Sequence, residues 1–254
     1  GHLAINRTVE RQIRGQPSIE LAGYAPLLGL PLFRELAIEL ALGSNRQAIE
    51  EAGISAISIA TPGGCGALSA SASNFVDVGD SILLRARHWE PYRTIIVERG
   101  CEIATWPFLP ETPEAGLEHL ERAGLAAELT RLAQSQKRIL IWLNDPAHNP
   151  TGLSLQASER RAMLEEVWEH ALAYPEVGIT LLIDAAYALY AAEPYGWATT
   201  LKEEIARRGD FPENLMLCFA ISCSKSHTCY GLRTGALVCL HPNQQFTDKL
   251  EDVL

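Results

Sequence analysis

The chain has 254 residues, of which 47% are hydrophobic and 20% charged, and its formal net charge at pH 7 is -10. This composition predicts a soluble globular protein with one large α/β domain or two small ones. The acidic balance, without any run of Lys or Arg, argues against nucleic acid or an anionic membrane as a partner, although a small anion could bind in a local basic pocket. The longest apolar runs have the length of strands, which is too short for a membrane span.

Six cysteines lie at positions 65, 101, 218, 223, 229 and 239. An even number would suggest disulfides in a short secreted protein, but the sequence begins without a charged-then-apolar signal pattern, and Cys218 and Cys239 fall in apolar runs. We therefore expect reduced core thiols and a cytoplasmic location. Cys223, His227 and Cys229 could be imagined as metal ligands, but no C-x-x-C pair supports zinc, and we expect no metal.

Strand and helix patterns alternate along the chain, which is typical of a mostly parallel α/β sheet. Pro31 begins a helix that ends at Gly43, and Thr112 begins another with leucines at 117, 120, 125, 129 and 132 on one face. Further helices are predicted over 67–75 and 156–172, with a short one between the second and third strands. The predicted strands cover 54–60, 81–84, 102–106, 139–143, 179–183, 215–221 and 235–240.

Polar or glycine-rich residues follow four of these strands directly. If the strands are parallel, all four groups lie at the carboxyl edge of one sheet, where open α/β sheets bind ligands. The pattern therefore predicts a binding site at this edge. The four groups are Gly63-Gly64-Cys65-Gly66, residues 144–152, Asp184 with Tyr187, and Ser222-Cys223-Ser224-Lys225.

Three of these groups suggest a chemistry when they are taken together. The amine of Lys225, which precedes Arg233 by eight residues, can form a Schiff base with a carbonyl, although most loop lysines are simply solvated. The carboxylate of Asp184 can hold a heteroaromatic nitrogen protonated, or it can cap the helix that follows. The glycines at 63, 64 and 66 let backbone amides approach an anion, without forming a dinucleotide fingerprint. An amine, an acid, an arginine and an anion cradle at one edge fit a phosphorylated pyridine aldehyde.

Several runs can also be compared with a known family. They are AHNPTG at 147–152, DAAY at 184–187, SCSK at 222–225 and GLRTG at 231–235, preceded by GLPLF at 29–33 and ELALG at 39–43. In the order and spacing of these runs, from about Tyr24 to Gly235, the chain resembles the class I (fold type I) pyridoxal-phosphate-dependent aminotransferases. AHNPTG, GLPLF and ELALG favour the aspartate and aromatic aminotransferase branch.

The resemblance implies a fold, an oligomeric state and an activity. The fold is a three-layer α/β/α large domain over 31–254, with a mostly parallel mixed sheet and helices on both faces. Residues 1–30 are implied to form an N-terminal segment that reaches the partner of a homodimer. The implied activity is the transfer of an amino group between an amino acid and a 2-oxo acid, through a Schiff base of pyridoxal 5'-phosphate on Lys225.

The resemblance also implies a role for each matching residue. Lys225 would bond the cofactor and then carry a proton between substrate and cofactor, while Asp184 would pair with the ring nitrogen. Tyr187 and Asn149 would hydrogen-bond the phenolic oxygen. Trp89 would stack on the ring, unless it is a core aromatic. The residues implied to hold the phosphate are Gly64, Cys65, Ser222 and Arg233, together with Tyr24, which would reach the phosphate of the neighbouring subunit.

Three positions depart from the family pattern. Cys65 replaces a hydroxyl residue of the phosphate loop and is a poorer hydrogen-bond donor, and Gly63 replaces a polar residue there. Tyr92 stands where this branch usually has a histidine that supports the aspartate. We therefore expect weaker cofactor binding, for which backbone amides compensate in part.

The family pattern also includes a small C-terminal domain with the arginines that bind the substrate carboxylates, and neither arginine is found within these 254 residues. The identity of the amino acid substrate is therefore open. Two other functions stay open as well: another pyridoxal-phosphate enzyme, such as a lyase, decarboxylase or racemase, and a truncated, non-catalytic cofactor-binding module. A transcription regulator with such a domain would need a DNA-binding helix-turn-helix, and we find none in the sequence.

Overall fold

The computed structural model describes residues 4–254, so the predicted N-terminal segment 1–30 begins outside the described part of the chain. The strands are β1 (Ser55–Pro62), β2 (Ser81–Arg85), β3 (Glu102–Trp106), β4 (Arg138–Asn144), β5 (Gly178–Asp184), β6 (Leu215–Ser222) and β7 (Thr234–His241). These seven strands form one mixed sheet in the order β1-β7-β6-β5-β4-β2-β3.

Helices lie on both faces of the sheet. They are α1 (Ala4–Arg14), α2 (Ser18–Ala22), α3 (Pro31–Leu42), α4 (Arg46–Glu51), α5 (Gly63–Asn74), α6 (Pro91–Glu98), α7 (Arg122–Ser135), α8 (Ala157–Ala173), α9 (Gly196–Arg208), α10 (Cys223–Ser226) and α11 (Gln244–Val253). Three short 3-10 turns, Gly43–Asn45, Ala188–Tyr190 and Tyr230–Leu232, connect them.

Each face of the sheet has its own hydrophobic core. One core lies against α3, α7, α8 and α9, and the other lies against α5 and α6. Alternate residues of β4 belong to different cores. The first core contains Ile139, Ile141 and Leu143, and the second contains Leu140 and Trp142. A strand that is buried on both faces has a continuous apolar sequence, which is the pattern seen here. The expected three-layer α/β/α fold is confirmed.

Six of the seven strands run in the same direction. β2, β3, β4, β5 and β6 pair in parallel, whereas β7 runs antiparallel to both β1 and β6, so β1 has the direction of β6. The four groups that follow β1, β4, β5 and β6 therefore share one edge, as the sequence predicts. The first residues of β7 lie at the same edge, because Thr234 pairs with Pro62 and Gly235 with Ser222.

Two helix predictions are wrong at their first residue. The helix predicted to begin at Thr112 begins at Arg122, after Glu121, whose side chain accepts a hydrogen bond from Gly124 N. A helix cannot continue through Gly116, which has a φ of +82°. The helix predicted over 67–75 already begins at Gly63, so the glycine-rich run is its first turn. The sequence prediction also omits α9, although its apolar residues recur every four positions.

All six cysteines are free thiols. Cys101, Cys218 and Cys239 are buried, but the other three are partly exposed, so the expectation of core thiols is wrong for those at 65, 223 and 229. Among residues 4–254, no helix combines the length and the apolar character needed to cross a bilayer.

Two glycines at strand starts give a test of the packing at the sheet edge. A Cβ on Gly235 would lie 2.5–2.7 Å from the backbone of Gly63, whereas a Cβ on Gly178 would meet nothing within 4 Å. We expect Gly235→Ala to lower the free energy of unfolding by about 1–3 kcal/mol, as other overpacked sites do. Gly178→Ala, the matched control, should leave it unchanged or raise it slightly. Urea unfolding measures both, and equal values for the two variants would contradict this packing.

Candidate active site

A cavity of about 270 Å³ opens at the carboxyl edge of the sheet. This volume is just below the ~300–1,000 Å³ of typical small-molecule sites. The cavity is lined by Gly64, Cys65, Leu68, Trp89, Asn144, Asn149, Asp184, Ala186, Tyr187, Ser222, Ser224, Lys225, Tyr230 and Arg233.

Asp184, the last residue of β5, places a buried carboxylate in this cavity. Its Oδ2 accepts a 2.6 Å hydrogen bond from the hydroxyl of Tyr92, and its Oδ1 accepts one of 3.2 Å from the backbone N of Ala186. Burial raises the pKa of Asp184, and these two donors oppose the rise. No ion pair within residues 4–254 involves this carboxylate. Its ionised form is therefore available to bind a cationic ligand.

Asn144 connects Asp184 with the loop after β4. Its side-chain amide donates a 3.0 Å hydrogen bond to the carbonyl of Asp184, and its Oδ1 accepts a 2.6 Å bond from the backbone N of Asn149. Both partners of Asn144 line the cavity. The amide side chain therefore fixes the position of Asn149 relative to the end of β5.

A second buried carboxylate, that of Asp145, holds the loop that carries Asn149. Asp145 accepts hydrogen bonds from the backbone N of Leu155, at 2.8 Å, and from the indole of Trp197, at 2.7 Å. Burial raises the pKa of Asp145 to about 6. Within the loop, Nδ1 of His148 and Oγ1 of Thr151 are hydrogen-bonded at 2.8 Å.

Lys225 lies in the short helix α10, directly after β6. The hydroxyl of Tyr190 donates a 2.6 Å hydrogen bond to the carbonyl of Lys225, and the side chain of Ser222 accepts one of 3.3 Å from Ser224 N. Nζ of Lys225 lies 4.9 Å from the centre of the Tyr230 ring and borders the cavity. These contacts fix the backbone of the lysine while its amine stays accessible.

Another part of the cavity wall is suited to an anion. The first turn of α5 contributes Gly64 and Cys65, and backbone N–H groups in a first helical turn have no partner within the helix. Arg233 donates from Nη1 to Oγ of Ser224, at 3.2 Å, and to the carbonyl of Tyr230, at 3.0 Å. Helix amides, hydroxyls and a guanidinium are the usual ligands of a phosphate group.

Gly63 leaves the space that this guanidinium occupies. Its φ is +72°, and a Cβ at this position would lie 2.7 Å from Nη2 of Arg233. The guanidinium of Arg233 therefore lies close to the first turn of α5.

Trp89 and Tyr187 complete the cavity wall. Trp89 is half-buried and packs against the second core, so it is a core aromatic that also lines the cavity. Its ring lies edge-on to Tyr92, with centroids 5.6 Å apart. Tyr187 follows Asp184 by three residues and lies at the start of the short turn Ala188–Tyr190.

Tyr24 is the one candidate that lies apart from the others. Its side chain is fully exposed, on the segment before α3, and it does not line the cavity. The structure brings together the other nine candidates: Lys225, Asp184, Tyr187, Asn149, Trp89, Gly64, Cys65, Ser222 and Arg233.

Three polar or aromatic residues of the cavity were missed by sequence reasoning. Asn144 and Ser224 lie inside the polar groups that follow β4 and β6, so their positions gave a signal that could have been used. Tyr230 has no such signal, because its place beside Lys225 depends on the turn Tyr230–Leu232.

The chain is similar in sequence to a known protein family and to several of its members. The profile of the family described as aminotransferase class I and II matches residues 2–253. The chain is 30% identical over 226 residues to the aromatic-amino-acid aminotransferase of Pseudomonas aeruginosa, covering 87% of the chain and 50% of that protein. It is 26% identical over 243 residues to the cytoplasmic aspartate aminotransferase of Gallus gallus, covering 92% and 54%. The chain thus spans about half the length of these curated relatives.

Solved structures give the same result. The crystal structure of an aminotransferase from Anaerococcus prevotii matches with a TM-score of 0.83 at 28% identity, covering 96% of this chain and 56% of that one. The cytoplasmic aspartate aminotransferase of Saccharomyces cerevisiae shares the fold, with a TM-score of 0.76 at 20% identity, over 100% of this chain and 59% of that one. Since the family profile covers nearly every residue, the chain belongs to the aminotransferase class I and II family.

Proposed function

We propose that this chain is the cofactor-binding domain of a pyridoxal-phosphate-dependent aminotransferase and that Lys225 bonds the cofactor. The observation that supports this most is the convergence of three groups on one cavity: the amine of Lys225, the buried carboxylate of Asp184 and the guanidinium of Arg233. Family membership supports amino transfer as the reaction. Because the chain spans about half of its relatives, the activity is proposed for the whole protein.

The chemistry of the cavity wall fits pyridoxal phosphate. Asp184 is a buried hydrogen-bond acceptor without a cationic partner among the described residues. A protonated ring nitrogen requires an acceptor of this kind. The first turn of α5, Ser222 and Arg233 would hold the phosphate. Trp89 would cover a face of the ring, and Tyr187 would bind its phenolic oxygen together with Asn149. Cys65 would contribute its backbone N–H more than its thiol, which is a weak donor.

Once bound, pyridoxal phosphate supplies an electron sink for the electrons of a bond that breaks at the substrate α-carbon. The protein supplies the groups around it. Nζ of Lys225 would bond the cofactor and, when released, hold the proton that leaves the α-carbon. Asp184 would keep the ring nitrogen protonated through the charge of its carboxylate.

The substrates are proposed to be an amino acid and a 2-oxo acid. The cofactor-binding groups do not choose which bond of the substrate breaks, because that depends on how the substrate is oriented. A lyase or decarboxylase with the same cofactor is therefore the first alternative, and a non-catalytic cofactor-binding module is the second. Family membership favours amino transfer over both.

We also propose a homodimer. The segment 24–36 exposes a row of large apolar side chains that water does not favour. In the dimer this row would face the partner, and Tyr24 would reach the partner's cavity. The row consists of Tyr24, Leu27, Leu30, Leu32 and Leu36.

The relatives include proteins named as cytoplasmic and as mitochondrial, so the cytoplasmic location expected from the sequence stays a prediction.

The first test uses the absorption spectrum of the purified chain after addition of pyridoxal phosphate. After free pyridoxal phosphate is removed, we expect a visible band on the parent protein that is missing in Lys225→Ala, because the bond to the lysine keeps the coloured cofactor on the protein. Lys137→Ala removes an exposed lysine that does not line the cavity and should keep the band. A band of equal strength in Lys225→Ala would contradict the proposal.

The same band, followed in the whole protein for which the activity is proposed, separates the proposed functions. Adding an amino acid without a 2-oxo acid should bleach or shift the band, since the first half of an amino transfer needs no second substrate. A new carbonyl product that keeps the carbon skeleton of the amino acid indicates amino transfer. Loss of carbon dioxide indicates a decarboxylase, and a band that no amino acid changes indicates a non-catalytic module.

The phosphate end is tested by Arg233→Ala. We expect the affinity for pyridoxal phosphate to fall by about tenfold or more, because a hydrogen bond to a charged group contributes ~1.5–3 kcal/mol and 1.4 kcal/mol is tenfold. The affinity for pyridoxal, which lacks the phosphate, should change little. Arg87→Ala, at an exposed position outside the cavity, is the control. An equal loss for both ligands would mean that Arg233 does not bind the phosphate.

A further inference from the structure

Tyr92 is a buried tyrosine directly behind the cavity. It is 1% exposed and does not line the cavity, yet its hydroxyl donates a 2.6 Å hydrogen bond to Oδ2 of Asp184. The residue follows Pro91 in the first turn of α6, and its backbone N donates to the carbonyl of Trp89 at 3.1 Å. It therefore contacts two residues of the cavity wall at once.

The phenol ring is fixed by the aromatic side chains around it. Trp89 lies edge-on at 5.6 Å, and Trp142 of β4 lies at 5.2 Å with an angle of 66°. The indole of Trp142 is itself fixed, because it donates a 3.1 Å hydrogen bond to Oγ of Ser71 in α5. The ring of Tyr92 is thus held by one residue from the loop before α6 and one from β4, and its hydroxyl has one well-defined direction.

The proton of this hydrogen bond belongs to the phenol. Burial and the neighbouring charge of Asp184 raise the pKa of Tyr92 well above its usual value, so it stays a neutral donor. The other titratable side chains close to it are Cys65, Tyr187 and His88, whose ring is stacked on the phenol with centroids 6.4 Å apart. A donor that cannot give up its proton stabilises the ionised form of the acceptor. The second donor to Asp184, the backbone N of Ala186, is more distant at 3.2 Å.

We propose that Tyr92 is a positioning residue, whose hydroxyl orients the Asp184 carboxylate and keeps it ionised for the ring nitrogen of the cofactor. In this chain a neutral phenol does the work for which the resembled branch uses a histidine. The inference rests on the proposed function, because the state of Asp184 matters to a ring nitrogen only if the cofactor binds.

The direct test needs no cofactor. In Tyr92→Phe the ring and its contacts with both tryptophans stay, and only the donor is lost. We expect the pKa of Asp184, followed by carboxyl-carbon NMR of the cofactor-free chain, to rise by about one unit, a tenfold change in its ionisation constant. Tyr174→Phe, which removes a hydroxyl far from the cavity, should leave this pKa unchanged. An unchanged pKa in Tyr92→Phe would overturn the proposal, whether or not pyridoxal phosphate binds.

A double-mutant cycle then tests the consequence for the cofactor. Tyr92→Phe should weaken the binding of pyridoxal phosphate by about tenfold in the parent, but by less than twofold in an Asp184→Asn background. Tyr92→His should restore part of the affinity, because an imidazole N–H can also donate. Equal losses in both backgrounds would show that Tyr92 acts by packing alone and would contradict the proposal. A parent that fails to bind would count against the proposed function, while the NMR titration still decides the role of Tyr92.

Discussion

The common direction of six strands is the constraint on which the site depends. A strand of seven or eight residues is about 25 Å long, so reversing one would move the group that follows it to the opposite edge of the sheet. β7 alone is antiparallel, and for that reason its amino end brings Arg233 to the edge where the other strands deliver Asp184 and Lys225. One cavity thus collects residues that are far apart in the sequence.

The central electrostatic feature of that cavity is the Asp184 carboxylate. A buried charge is unfavourable unless hydrogen bonds or an opposite charge compensate it. Here Tyr92 and the backbone N of Ala186 compensate in part, and no cation among the described residues does so. The fold therefore maintains a negative site that a cationic ring would complete. The anion cradle and the lysine in the same cavity agree with a ligand that carries charges of both signs.

Much of this arrangement can be predicted from the sequence, because buried strands have apolar sequences and the groups after them are polar. Lys225, Asp184 and Arg233 could be chosen because their chemistries fit one ligand when they are taken together. The sequence does not predict the hydrogen bonds by which Asn144 connects Asp184 with Asn149, because they depend on turns that local patterns do not specify. The position of Tyr230 beside the lysine depends on such a turn as well. The prediction of a helix that begins at Thr112 is wrong for a related reason. The leucine periodicity continues through Gly116, but the positive φ of Gly116 does not permit a helix. Tyr24 stays a prediction, because its partner would lie on another subunit.

Whether Lys225 is the amine that bonds the cofactor can be determined by trapping that bond chemically. The chain is mixed with pyridoxal phosphate, reduced with borohydride to make any bond to an amine permanent, digested, and mapped by mass spectrometry. We expect the added mass on the peptide that contains Lys225 and on no other. An adduct spread over exposed lysines, or none after reduction, would contradict this expectation.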